Sequence, residues 1–278
     1  MRKTSLVFFF ISITFANCVM PSEKRNEKII DSTSFQQNDT FHLLCGYWKL
    51  TDADHPTGKD ISFTNDDGVE LQSGIVFMTD STVLENPTGE MTYGKFTVKG
   101  NAIHVNFDDG RKAVYTIQRL HKNELLLKRT ENKHTSELTY EGTQTSWPDA
   151  KKNPFSKENY KWTIKPEKPE TDAEIKERVQ ESVQFYVYYF DGFINGNAEQ
   201  IDFKGLPNCL NWYQGGITIQ NEENLNKKWI SCFYSKDQAL KGRQILQDAI
   251  LKKYSWDEKE TNWLKQTASV LQQIHDQM

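Results

Sequence analysis

Chemistry-bearing side chains are thinly spread along this sequence, and their spacing assembles no catalytic motif. The six histidines, at 42, 55, 104, 121, 134 and 275, never fall at the short separations that let two imidazoles share a metal. G-x-S-x-G, H-E-x-x-H, C-x-x-C and a glycine-rich phosphate loop are all missing. Asp52-x-Asp54-His55 comes nearest to a ligand cluster, but it follows the first strand, where a polar loop is expected without a metal. Asp66-Asp67-Gly68 and Asp108-Asp109-Gly110 suit bends between strands, and carboxylates there are solvated rather than tuned for proton transfer. The expectation is a protein that is not an enzyme, with no cofactor and no metal. Lys and Arg number 34 against 38 Asp and Glu, a formal charge of −4, so the basic excess of a nucleic-acid binder is lacking.

The residue with the clearest covalent chemistry is Cys18. Arg2 and Lys3 precede an apolar run from Leu6 to Phe15, which has the length of a signal peptide and not of a spanning helix. The tetrapeptide Thr14-Phe15-Ala16-Asn17 before the cysteine resembles a bacterial lipobox. Phe15 stands where that motif favours Leu, and Asn17 where it favours Gly, Ala or Ser. The resemblance implies removal of residues 1–17 and acylation of Cys18, with residues 18–40 as a polar tether. The protein would then be exported and held at the bacterial cell envelope, at the outer membrane, by an N-terminal lipid. The alternative is a secreted or periplasmic soluble protein. With Cys18 acylated, Cys45, Cys209 and Cys232 remain, allowing either a Cys209–Cys232 disulfide or three buried reduced thiols.

Two kinds of element must position whatever site there is. Residues 41–147 read as short runs of period two, separated by turns. Phe96 and Val98 share a face, as do Ile103, Val105 and Phe107, and Tyr115 and Ile117, with Gly100-Asn101 and Asp108-Asp109-Gly110 between the runs. Eight or so such strands predict an antiparallel sheet closed around its own core. Gly46-Tyr47-Trp48 resembles the G-x-W opening of lipocalin-like domains, in which the Trp plugs the closed end. Glu90 to Phe96 is similar to the glycine-flanked aromatic strand of short bacterial lipocalin-like lipoproteins, and Tyr115-x-Ile117 and Leu125-x-Leu127 follow in the same order. The resemblance implies a calyx for a small apolar molecule lined by Phe96, Val98, Ile103, Val105, Phe107, Tyr115 and Ile117, with Gly46 and Trp48 at its floor. The same bulky side chains could instead meet and fill the interior.

Residues 148–169 hold Pro148, Pro154, Pro166 and Pro169 among many charges and read as a connection, with Trp147 and Trp162 packed down nearby. From Thr171 the period changes to 3.6. A Thr171-x-x-Glu174 capping box opens a helix striped by Ile175, Val179, Val183, Tyr186, Phe190 and Phe193, which stops at Gly196. Residues 209–234 read as extended, and Ser235-x-x-Gln238 and Ser255-x-x-Glu258 open two more helices. The expected fold is therefore mixed and two-domain: an antiparallel lipocalin-like β-barrel, then a smaller α+β domain over 170–278. The aromatic run 185–190 is either a docking surface, for the barrel or for an envelope protein partner, or a helix covered on several sides.

Overall fold

The computed structural model describes residues 37–54, 73–131, 134–198, 201, 205–213, 216–252, 254–255, 257 and 259–278. Cys18, His55 and Asp66 to Gly68 lie outside these residues. Eight antiparallel strands close into a barrel in simple up-and-down order: β1 (Gly46–Asp54), β2 (Gly74–Phe77), β3 (Thr82–Glu85), β4 (Thr92–Lys99), β5 (Ala102–Phe107), β6 (Lys112–Leu120), β7 (Glu124–Glu131) and β8 (His134–Gly142). Strand β8 pairs back onto β1, with Trp48 opposite Gly142 and Leu50 opposite Tyr140. The seven inward residues expected from alternation are all buried in one core with Phe77, Leu125 and Leu127.

A short helix, α1 (Gln37–Leu44), closes one end of this barrel. Its Phe41 ring stacks on Phe96 at 5.6 Å, and Phe77 meets Phe96 edge-on at 5.0 Å. Trp48 donates from Nε1 to the Leu44 carbonyl at 2.7 Å, joining the helix to β1. The residues read as tether run into this helix, because Phe41, Leu43 and Leu44 gain more by packing against the barrel than by remaining in water.

The outer face of one wall is covered as well. Alternation sends Ile75 and Phe77 into the barrel and Val76 out of it, and likewise Val83 in and Leu84 out. The outward residues Tyr47, Val76, Met78 and Leu84 belong to a second core with the C-terminal half of the chain. That core is organised by α3 (Asp172–Gly196), whose capping box at Thr171 is complete and whose C-cap Asn197 takes the left-handed conformation at φ 56°. A helix α5 (Lys236–Leu251) and a helix α6 (Trp263–Gln277) pack on it, along with a hairpin of β9 (Leu210–Tyr213) and β10 (Gly216–Ile219). The aromatic run is covered on several sides: Phe185, Tyr186, Tyr189 and Phe190 are buried, and Phe185 meets Phe155, Tyr160 and Trp162.

Those last three rings come from the proline-containing segment 148–169. It forms a short helix, α2 (Lys157–Tyr160), flanked by two 3-10 turns, and wedges its aromatics between the barrel and α3. Two glycines let the chain leaving β8 lie directly on α3. A Cβ on Gly192 would stand 2.3 Å from the Trp147 ring, and one on Gly196 would stand 1.7 Å from the Gln144 carbonyl oxygen. Ser146 donates to the Gly192 carbonyl, and Trp147 donates from Nε1 to Tyr188, closing the contact with hydrogen bonds.

Two expectations for the C-terminal half are corrected, and the open alternative for its cysteines is decided. Residues Lys227–Ser231 form a helix, α4, rather than extended chain: Asn226 caps it by accepting from Lys228 N, and Trp229 is buried with its Nε1 donating to Ala239. So short an apolar run carries no period that separates strand from helix. The last helix starts at Trp263 and not after Ser255, because Asn262 accepts from both Leu264 N and Lys265 N and fixes the first turn there. Cys209 and Cys232 are buried free thiols and form no disulfide; burial pushes the Cys232 thiol up to about 12 and raises Cys209 as well.

Candidate binding site at the barrel mouth

Helix α1 occupies one end of the barrel, so the opposite end is the mouth. There the β3–β4 turn and the β5–β6 turn stand side by side above the inward ends of β7 and β8. A cleft of about 350 Å³ opens there, and its lining includes the apolar Leu50 and Leu138, Tyr140, and the polar Glu85, Asn86, Glu90, Asp109, Arg111 and Arg129.

Glu85 is the centre of this arrangement. It ends β3 on the inward face, continuing the alternation of Val83, and is only 6% exposed. Tyr115 donates its hydroxyl to Glu85 Oε1 at 2.9 Å, and Arg129 Nη1 reaches the same oxygen at 3.0 Å. Arg111 approaches Oε2 with both terminal nitrogens at 3.4 Å, the long end of hydrogen bonding. Arg111 is more firmly bound to Asp109, through Nε to Oδ2 at 2.7 Å and through its backbone N–H to Oδ1. These bonds hold the Asp109 carboxyl below the usual carboxylate range.

Aromatic faces orient both guanidinium groups. Arg111 lies over the Phe107 ring at 4.6 Å, and Arg129 lies over Tyr115, its cross-strand neighbour, at 5.6 Å. Burial, and then the nearby Glu85 charge, raises the Tyr115 hydroxyl well above its ordinary value, and the same two causes raise Tyr140. Both phenols therefore stay protonated at neutral pH, and Tyr115 remains a donor.

The lining of the apolar calyx that the resemblance implies is thus divided. Phe96, Val98, Ile103, Val105 and Ile117 lie in the packed interior with Phe77, whereas Phe107 and Tyr115 rise to support the arginines at the mouth. Gly46 and Trp48 lie at the α1 end, where Gly142 makes room for the indole; a Cβ on Gly142 would come within 3.0 Å of it. Asp109 is a turn residue as expected, and it also faces the cleft. Glu85, Arg111 and Arg129 were not among the expected site residues, yet Arg129 continues the inward series of Leu125 and Leu127. A charge at an inward position was the available signal. Among the described residues no group of His, Cys, Asp and Glu could hold a metal ion, and no helix is long and apolar enough to cross a membrane.

Compared with known proteins, the chain matches no protein-family model and no curated protein.

Proposed function

We propose that this protein is a non-catalytic binding protein of the bacterial cell envelope, anchored by a lipid on Cys18, whose lipocalin-like barrel holds a small acidic molecule at its mouth. One observation carries the reading: the 350 Å³ cleft in which Arg111 and Arg129 flank a buried glutamate. That volume is near the lower end of small-molecule sites, roughly 300–1,000 Å³. Replacing buried ion pairs by well-packed apolar groups is often neutral or stabilising, so a charged network at the mouth of an apolar barrel is better accounted for by recognition than by stability. The long Arg111–Glu85 contacts mark where a ligand carboxylate or phosphate would compete, leaving Leu50, Leu138 and Tyr140 for the ligand's apolar part. The envelope placement rests on the sequence around Cys18.

A second reading has its own support. Phe41, Phe77 and Phe96 fill the closed half of the barrel, as they would in a packed scaffold whose partner is another envelope protein. Titration with dansylglycine, its uncharged amide and a dansyl-bearing alkyl phosphate separates the two. Saturable binding of an acid but not of the amide, weakened about tenfold or more by Arg111→Gln, is expected from the loss of a charged hydrogen-bond donor. The relative strength of the two acids distinguishes carboxylate from phosphate. Saturable binding of neither acid would overturn the binding reading in favour of the scaffold, and equal binding of the amide would overturn recognition of the acidic group.

A further inference from the structure

Two turns at the mouth, β3–β4 and β5–β6, are held from outside the barrel by residues 155–163 and Lys228. In the β3–β4 turn, Asn86 takes the left-handed conformation at φ 55° and Gly89 N–H closes back onto its carbonyl. The Pro87 carbonyl, one residue further on, accepts from the buried Tyr160 hydroxyl at 2.5 Å. Thr88 offers its carbonyl to Lys228 Nζ at 3.0 Å. In the β5–β6 turn, Asp108 binds Lys157 Nζ, and the same lysine lies over the Tyr93 ring at 5.3 Å. Tyr93 in turn donates to the Phe155 carbonyl and accepts the Asp108 N–H at its own carbonyl.

These struts do not enter the cleft. The Tyr160 and Lys157 struts act on residues adjacent to ones that do: Pro87 follows Asn86, and Asp108 precedes Asp109, which orients Arg111. We infer that residues 155–163, with Lys228, form a brace that sets the spacing of the two mouth turns, so that Lys157 and Tyr160 are positioning residues for the ligand. This inference rests on the binding function proposed above. It gives the 148–169 segment, and the α+β half packed on it, a role in recognition that a barrel alone would not need. By linkage, a ligand that tightens the mouth also tightens the brace.

The test uses the full-length chain with Lys157→Met, Lys157→Arg and Tyr160→Phe, followed by hydrogen–deuterium exchange and dansylglycine titration. Tyr160→Phe leaves the Pro87 carbonyl without its buried donor and is expected to speed exchange of amides 86–91 and weaken dansylglycine by about three- to tenfold. Lys157→Met, at a solvent-exposed pair, is expected to loosen 108–111 and weaken binding by about two- to threefold, with recovery in Lys157→Arg. Lys157 is exposed, so its variants report even where Tyr160→Phe folds poorly. Wild-type affinity with unchanged exchange in Lys157→Met overturns the brace while the binding site stands, and faster exchange with unaltered affinity overturns the positioning role. Where the wild type takes up no acid the binding function fails, and the exchange data alone then decide whether the brace holds the turns.

Discussion

Strands β2 and β5 belong to one barrel and one hydrogen-bonding pattern, yet they have different surroundings. Along β5 burial alternates, with Ile103, Val105 and Phe107 inside and His104 and Asn106 in water. Along β2 all four residues are buried, because the outward Val76 enters a second core with α3, α5 and α6. Period two is therefore a signature of water on one face and not of the barrel itself. The wet wall shapes only the barrel interior, whereas the covered wall joins the barrel to the rest of the molecule.

The contrast can be broken by one charge on each wall. Val76→Asp buries a carboxylate between two cores and should cost more than about 4 kcal/mol, whereas His104→Asp on the wet wall should stay within about 0.5 kcal/mol. Urea unfolding measures both, and similar losses would mean that the second core contributes little to the barrel. In the wild type, far-UV circular dichroism and tryptophan fluorescence should report one coincident transition, since a single apolar cluster spans both halves. Next in size is Phe96→Ala, which removes the ring that joins α1 to Phe77 and should cost about 3–5 kcal/mol. A loss below about 1 kcal/mol would show that the closed half of the barrel was already loosely filled.

Smaller effects sharpen the contact between α3 and the chain leaving β8. Gly192→Ala forces a methyl group into the Trp147 ring and should destabilise by about 1–3 kcal/mol, although alanine is the better helix former. A stabilised variant would mean that the indole moves aside freely. The smallest effect concerns Asp191, half-buried on the same helix. Burial raises its carboxyl above the ordinary value, with Lys152 opposing, so its contribution to stability is full in acid and is lost as pH rises through the folded value. Asp191→Asn should therefore be slightly more stable than the wild type at pH 7, and the gap should close towards pH 3. Melting temperatures across that range decide it, and a gap that widens in acid would refute the assignment.

How far the sequence could be read follows the same division. The bounds of β5 and β6 and the capping box of α3 coincide with what period and spacing predict, because each is written locally. Helix α1 and α4 are too short to show a period, and their apolar residues are settled by distant partners. At Ser235 the local signal is only half used. Its hydroxyl accepts from Gln238 N as a cap should, but the Gln238 side chain donates to the Glu170 carbonyl and ties α5 to the start of α3. The mouth was missed for a related reason. Glu85, Arg111 and Arg129 lie at strand ends or in turns, where charges are ordinary, and only the closure of the barrel brings them together.

The covered wall also bears on the order in which the molecule is made. Tyr47, Val76, Met78 and Leu84 leave the ribosome early, while the core they join is finished only when α5 and α6, which pack on α3, are translated last. Contacts between such distant stretches form slowly, and until they do the newborn barrel carries a greasy stripe on its outside. A chain cut short before α6 would contain all eight barrel strands and still be a sticky fragment, prone to clumping and in need of a chaperone.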